Sequence, residues 1–378
     1  MKTYFEIDQK YLLEQLLSLV QIPSPSGYTD QVVHYVCKQL EYFNIPYNVT
    51  RRGAIRATLK GKLDTLDRAV CVHLDTLGAM VKRLKSNGRL AISSIGTWSS
   101  RFAEGARVTV FTQDKKIRGR ILPLKASGHV YNDEIDSQPV SWDNIEVRVD
   151  INCSNQEELI ACGFETGNFI AIDPCPEIDE NGYINSRHLD DKAGAAILLS
   201  LIKDISTSHI ELPVDCHLLF TISEEVGMGA TEVLYSDITE MIVIDSAMVA
   251  PKQNSSEYAA TLVMMDQTGP FDYHLNKKLT NLCLAQGIDY RKDIFRYYRS
   301  DAASAIEAGS DIRTALIGFG VDCSHGYERT HILSLKNTAQ LVLAYIQSEP
   351  TFQRDKNIMS SISGFPHQPT RDTISIET

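Results

Sequence analysis

The sequence predicts an α/β fold: a mixed, mostly parallel sheet flanked by helices and interrupted by a small β-rich insert. Three observations predict it. From about residue 167 onward helical and extended patterns alternate, which implies parallel strands joined by crossover helices. Between about residues 83 and 166 short strands alternate with Gly, Asn and Asp turns, with no convincing amphipathic helix among them. The length, 378 residues, exceeds that of an ordinary single domain. The expected organisation is a discontinuous α/β domain over residues 1–82 and 167–350, the insert over 83–166, and a loosely held tail over 351–378.

Each element has its own signal. Asp8 can cap a helix whose Leu12, Leu13, Leu16, Leu17 and Val20 share one face, and the Pro23 to Gly27 stretch ends it. Thr29 opens a second helix with Val32, Val33, Val36, Leu40 and Phe43. Extended segments follow at 46–51 and 54–60, then a buried strand over 69–74 with His73 near its end. The insert carries strands at 107–112, 117–122 and 145–151. After it come a helix at 192–204, strands at 214–222 and 241–245, a helix at 276–287, a strand at 314–319 and a last helix at 335–347.

Composition excludes several functions. Hydrophobic residues make up 43% and charged residues 22%, as in ordinary globular proteins. A net charge of -11 without any Lys/Arg-rich run excludes a phosphate-gripping surface, so no nucleic-acid partner is expected. Eight cysteines without a CxxC pair suit a reducing, cytoplasmic compartment. Glu6, Asp8 and Glu14 interrupt what would be a signal peptide, and no stretch of about 18 apolar residues follows, so neither export nor a membrane partner is expected.

The chemistry-bearing residues fall in five places: His73 to Asp75, His188 to Asp191, Glu224-Glu225, Asp245 and His325. Each has an ordinary explanation alone. A histidine after a strand is usually structural, paired acids are usually a solvated turn, and Asp190, Asp191 or Asp245 could cap a helix. Together they fall at the C-terminal edge of the sheet, where open parallel sheets put their sites. A pair of divalent ions about 3.5 to 4 Å apart needs a bridging carboxylate and further N/O ligands. Asp190 is the candidate bridge, with His73 and Asp245 completing one ion and Glu225 and His325 the other. Three carboxylates against two dications leave room for one bound hydroxide as nucleophile, and Glu224 remains as the general base that relays its proton. Asp75 is placed to accept the other ring N–H of His73, and Asp191 to hold the turn that aims Asp190. No GxSxG or Cys/His nucleophile signature appears.

The segments Val72 to Gly78, Leu189 to Gly194, Ser223 to Gly227, Val243 to Asp245 and Ala315 to His325 resemble, in this order, the M42 family of metallo-aminopeptidases, which includes the tetrahedral and glutamyl aminopeptidases. The similarity runs from about residue 10 to 347. It implies a catalytic α/β domain of zinc-exopeptidase type, an inserted β-barrel-like domain that mediates dimerisation, and two zinc or cobalt ions per subunit. It also implies a homo-oligomer built from dimers, extending in many members to twelve-subunit shells. The family pattern supports His73, Asp190 and Asp245 on one ion, Asp190, Glu225 and His325 on the other, and Glu224 as base. The family usually has an Arg-Tyr pair shortly before the last ligand. Here Val321 to His331 lacks it and contains two histidines, so His331 rivals His325 as ligand. Lys192 stands where the family usually has Arg.

The expected activity is removal of N-terminal residues from a peptide or small amide. The rival readings are an amidase, deacylase or carboxypeptidase of M20 or M28 type using the same ligands, and a non-catalytic assembly protein on the same fold. Arg187, Arg299 and Arg329 lie near the ligand stretches and are candidates for selecting an acidic side chain, or else for structural ion pairs.

Overall fold

A computed structural model describes residues 7–208, 210–231, 233–235 and 237–368. Asp8 accepts the Tyr11 N–H and caps α1 (Gln9–Val20), whose buried face is Leu12, Leu16, Leu19 and Val20. In α2 (Asp30–Tyr42) the spacing of Val32, Val33, Val36 and Leu40 does the same. The chain continues as β1 (Tyr47–Val49), β2 (Ile55–Leu59) and β3 (Gly61–His73), whose last eight residues are all buried.

Six strands then leave the sheet: β4 (Gly78–Leu84), β5 (Leu90–Ile95), β6 (Arg107–Phe111), β7 (Lys116–Pro123), β8 (Ile145–Val149) and β9 (Phe169–Ile172). They close into a barrel in the order β4-β5-β8-β7-β6-β9, around a separate core that includes Val81, Ile92, Val110, Val147 and Ile170. The barrel strands start before residue 83 and end after 166, because the Gly78–Val81 stretch reads as a continuation of the preceding apolar run. Two helices, α3 (Gly128–Tyr131) and α4 (Gln156–Ala161), sit in the insert where none was expected; at one turn or so each is too short to show a helical period.

The chain returns through β10 (Glu177–Ile178) and β11 (Tyr183–Ser186) into α5 (Leu189–Ser208), followed by β12 (Leu212–Thr221), β13 (Ile238–Val249), β14 (Ala260–Asp266), β15 (Gly269–Pro270) and α6 (Tyr273–Gln286). Then come β16 (Tyr290–Ile294), α7 (Asp301–Glu307), β17 (Arg313–Asp322), β18 (Glu328–His331) and α8 (Ile332–Ile346). The sheet runs β1-β2-β12-β3-β13-β17-β18-β11-β10, with β14 also on β17. Its centre, β12-β3-β13-β17, is parallel, while β2, β14 and β18 join it antiparallel. This is the mixed α/β architecture expected from the alternation of patterns.

A parallel centre must be covered on both faces. Accordingly α5 is buried almost throughout, and Ala193, Gly194, Ala195 and Ala196 at its start let it approach closely. Opposite the functional edge, the fully buried Arg68 donates to the Tyr345 carbonyl, faces Glu240 at 3.5 Å and stacks on the Tyr345 ring at 4.8 Å. Glu240 also accepts from Thr351, and Arg313 pairs with Asp355 at 2.7 Å. The start of the segment expected to be a loose tail is therefore tied to the sheet. Residues 369–378 of that segment lie outside the described residues.

Candidate metal centre

His73 ends β3 and is almost fully buried. Its backbone N–H donates to Asp191 Oδ2 at 3.1 Å, and its Nδ1–H donates to the Asp75 carbonyl at 2.9 Å. Nε2 is thereby turned toward Asp190 Oδ1, 3.1 Å away. Asp75 was expected to accept this ring N–H; its backbone oxygen takes the hydrogen bond, and its carboxylate Oδ1 stands 3.6 Å from the same nitrogen. The Asp75 carboxylate accepts from Ser26 Oγ (2.5 Å), Glu224 N (3.1 Å) and Glu225 N (3.3 Å), and so holds the turn that carries both glutamates.

Asp190 and Asp191 enter α5 in non-helical conformations joined by a cis peptide, and the regular helix begins at Lys192. Asp191 spans the gap: one oxygen takes His73 N–H, the other Gly194 N–H at 3.2 Å. Glycine is required there, since a Cβ at 194 would lie 2.1 Å from Asp191 Oδ1. Asp190 Oδ2 accepts from Ser246 Oγ at 2.8 Å and lies 3.6 Å from His325 Nε2. The two oxygens of Asp190 thus face two different imidazoles.

His325 adopts φ 65°, a left-handed conformation uncommon outside glycine, and its Nδ1–H donates to Thr97 O in the barrel segment at 2.9 Å. Its Nε2 then faces Asp190 and, at 3.6 Å, Glu225 Oε2. Glu224 Oε2 is 3.9 Å from His73 Nε2. Asp245, midway along β13, joins His73 and Asp190 in a group whose ligand atoms lie within 4.8 Å of one another.

The other histidine, His331, is elsewhere. Its Nδ1 accepts Leu333 N–H at 3.1 Å and caps α8, its Nε2–H donates to Asn181 O at 2.8 Å, and its ring packs on Tyr183 and Tyr258. Both ring nitrogens are committed to these partners, whereas His325 Nε2 faces Asp190 and Glu225. His188 donates to Ile172 O, and burial pushes its imidazole down to about 4, so it stays neutral. Arg299 and Arg329 are paired with Glu307 and Glu257.

Two supports were missed in the sequence pattern. Glu328 accepts His325 N–H (2.9 Å) and Asp190 N–H (3.2 Å), and burial beside Asp190 raises it to about 8. Asp301 accepts from Thr221 Oγ1 and, at 2.8 Å, from Ala230 N–H, bracing the far side of the glutamate turn. The only hint for Glu328 was the inward alternation of β18, a four-residue strand.

Burial pushes the carboxyls of Glu224, Glu225, Asp191 and Asp245 well above the usual range, and the charges of neighbouring acids add to it against the opposing pull of His73. Asp190 is buried too, but its hydrogen bond to His73 keeps it below that range. Burial works against a charged His73, yet Asp190 and the surrounding acids hold it well above 6.5. Burial brings Lys192, bonded to Ser24 Oγ at 2.7 Å, down to about 7. Such an excess of buried acid makes a candidate cation site: carboxylate oxygens and imidazole nitrogens are the donors zinc and similar divalent ions take.

An α/β sheet whose parallel edge gathers carboxylates and imidazoles beside a closed barrel defines a metal-dependent hydrolase. The M42 glutamyl aminopeptidase family matches residues 53–341, and the chain belongs to that family. It is an aminopeptidase, of a family whose members depend on metal ions. YhfE of Bacillus subtilis (strain 168) is 39% identical over 339 residues, covering 89% of this chain and 97% of that one. The glutamyl aminopeptidase of Lactococcus lactis subsp. cremoris (strain MG1363) is 25% identical over 228 residues, 59% of this chain and 62% of the relative. In fold the chain is similar to a TET aminopeptidase from the marine sediment archaeon Thaumarchaeota archaeon SCGC AB-539-E09, with TM-score 0.82, 20% identity and coverage of 91% and 98%. It is also similar to the Pyrococcus horikoshii TET1 peptidase, which can assemble into a tetrahedron or a large octahedral shell, with TM-score 0.78, 20% identity and coverage of 89% and 100%.

Two outcomes are expected. His325→Ala should lower the bound metal measured by elemental analysis, whereas His331→Ala should leave it unchanged and cost about 1 kcal/mol of stability through the lost helix cap. The second concerns pH. Carboxyls raised in the folded state stabilise it fully only below their unfolded values and lose that contribution as pH rises through the folded ones, and the raised His73 acts in the same direction. The melting temperature of chelated protein should therefore fall between about pH 5 and 8, while zinc-loaded protein should show a flatter profile. Identical profiles would refute this account of the acids.

Proposed function

We propose that this aminopeptidase removes N-terminal residues by the two-ion route, with His73, Asp190 and Asp245 on one ion and Asp190, Glu225 and His325 on the other. The observation that carries the reading is the Asp190 carboxylate, one oxygen 3.1 Å from His73 Nε2 and the other 3.6 Å from His325 Nε2. Zinc or cobalt held there would polarise the scissile carbonyl and acidify water. Glu224, beside this group but outside the ligand set, takes the proton of the attacking water and returns it to the leaving amine. Asp75 and Asp301 keep the turn of Glu224 and Glu225 in place by accepting backbone N–H groups on either side of it. A complete set of acids, imidazoles and a candidate base argues against a non-catalytic assembly role.

A pocket lined by Leu77, Trp98, Arg187, Asp190, Glu225 and His325 adjoins these groups. Arg187 donates to Phe102 O at 2.8 Å, and burial lowers its affinity for its proton; no carboxylate lies within 4 Å of it among the described residues. An unpaired guanidinium at that position suits an acidic substrate side chain, the preference named in the relative from Lactococcus lactis. As in the TET peptidases, the subunits form a homo-oligomer, with the barrel as the dimerising domain. No described helix is long and apolar enough to cross a membrane, and we place the enzyme in the cytoplasm.

Exhaustive chelation should abolish hydrolysis of aminoacyl p-nitroanilides, and zinc or cobalt should restore it. Glu224→Gln should keep its metal yet lose at least about a hundredfold in kcat; an active variant removes Glu224 from the base role. Arg187→Gln should lower kcat/KM for a glutamyl amide by about tenfold or more while sparing a leucyl amide, and an equal loss on both would rule out charge recognition.

A further inference from the structure

Cys153 and Cys162 stand at the two ends of one short excursion of the barrel, between β8 and β9, with α4 between them. Their sulfurs are 3.6 Å apart, and both side chains are partly buried against the barrel core. Each end is fixed through its backbone. The Cys153 carbonyl packs so closely on the β4–β5 turn that a Cβ on Gly88 would lie 2.1 Å from its oxygen. Ser154 gives its N–H and hydroxyl to Glu158 Oε2, at 2.7 and 3.0 Å, and Asn155 caps α4 by accepting the Glu158 N–H at 2.9 Å. Cys162 closes that helix, its N–H shared between Glu158 O and Leu159 O.

Two sulfurs in contact on a backbone already held need only side-chain torsions to close from 3.6 Å to a bond of about 2 Å. The two thiols are not equivalent. Cys162 lines an open cleft of about 600 Å³ between α4, the end of β4 and the β6–β7 turn. Cys153 does not line it and directs its S–H at the Cys162 sulfur. Burial and that bond push the Cys153 thiol up to about 11, so it keeps its proton while Cys162 is the sulfur presented to solutes.

We propose that Cys153 and Cys162 are a reversible thiol pair that closes into a disulfide when the protein meets a small-molecule disulfide, bracing α4 on the barrel. Cys162, as its thiolate, attacks one sulfur of the small disulfide; that S–S bond breaks and one small thiolate leaves. Cys153, as its thiolate, then attacks Cys162 Sγ; the mixed bond breaks and the second small thiolate leaves. The two protons given up by the cysteines pass through water to the two leaving thiolates. The pair is thereby oxidised by two electrons and the small disulfide reduced by two, and in a reducing compartment the same exchange run backwards restores both thiols. The closed loop loses chain freedom around α4.

The test is exposure of the whole protein to oxidised glutathione at about pH 8, then an acid quench and cleavage after Glu157 and Glu158 without reductant, which leaves the two cysteines on separate peptides. In wild type those peptides should stay joined, lighter by two hydrogens than their sum, and should separate on adding dithiothreitol. Cys153→Ser should stop at a glutathione adduct on Cys162, whereas Cys162→Ser should form the adduct on Cys153 at least about tenfold more slowly. Amide exchange over residues 156–161 should slow about tenfold or more in the bonded form, and unchanged exchange would remove the bracing role. An adduct on Cys162 that stays unresolved in wild type would overturn the proposal. So would two free thiols at a time when the exposed Cys175 has already reacted. Equal rates in the two serine variants would overturn the order of attack.

Discussion

Six carboxylates, those of Asp75, Asp190, Asp191, Glu224, Glu225 and Asp245, crowd one edge of the parallel sheet, all of them buried or nearly so. At such separations in a low-dielectric interior, repulsion between like charges outweighs what His73, His325 and Lys192 can offset. Burial and this repulsion push the carboxyls of four of those acids well above their usual range. Divalent cations are the alternative counter-charge. The same crowding that makes the edge costly to fold makes it a candidate cation site.

Crowding alone would not produce a centre with direction; the direction comes from backbone N–H groups. Asp191 is spent on His73 and Gly194, Asp75 on Glu224 and Glu225, Glu328 on His325 and Asp190, and Asp301 on Ala230. Each of these acids fixes the chain at a strand end or turn that carries one of the inward-facing groups. This division of labour explains why so many acids are present: some face the space between the histidines, and others hold those in place. It also explains why paired acids recur, since in Asp190-Asp191 the members do different jobs.

Which residues crowd the edge was legible in the sequence, because β3, β12, β13 and β17 each contain a short apolar run (69–72, 218–220, 241–244 and 315–317) and the acids and imidazoles stand out after it. The roles of the supporting residues were not. Asp75 lies two residues from His73, a spacing that suggests side-chain contact, yet the ring meets its carbonyl and the carboxylate turns to residues 149 and 150 positions away. His331 sits six residues past His325 and carries no local mark of being a cap; only the pairing of β18 with β11 draws it toward Asn181. Glu328 takes the N–H of His325 three residues back, but its hold on Asp190 spans 138 positions, and no local pattern reports it. The barrel strands were partly visible, but the closing pair β4 and β9 lies in apolar stretches continuous with the sheet domain. The short anchor after α8 rests on Glu240 and Arg313, more than 40 residues distant, and no periodicity reports such a contact.

The barrel is more than an appendage to this edge. Thr97 O fixes the ring of His325, Phe102 O takes one arm of Arg187, and Ile172 O holds His188 beside Asp190. Trp98 lines the same pocket, its indole N–H bonded to Gly78 O at 3.2 Å. The groups on the His325 side of the centre are therefore aimed by a different domain from those on the His73 side. A displacement of the barrel would therefore move the partners of Arg187 and His325 together while leaving those of His73 and Asp245 in place.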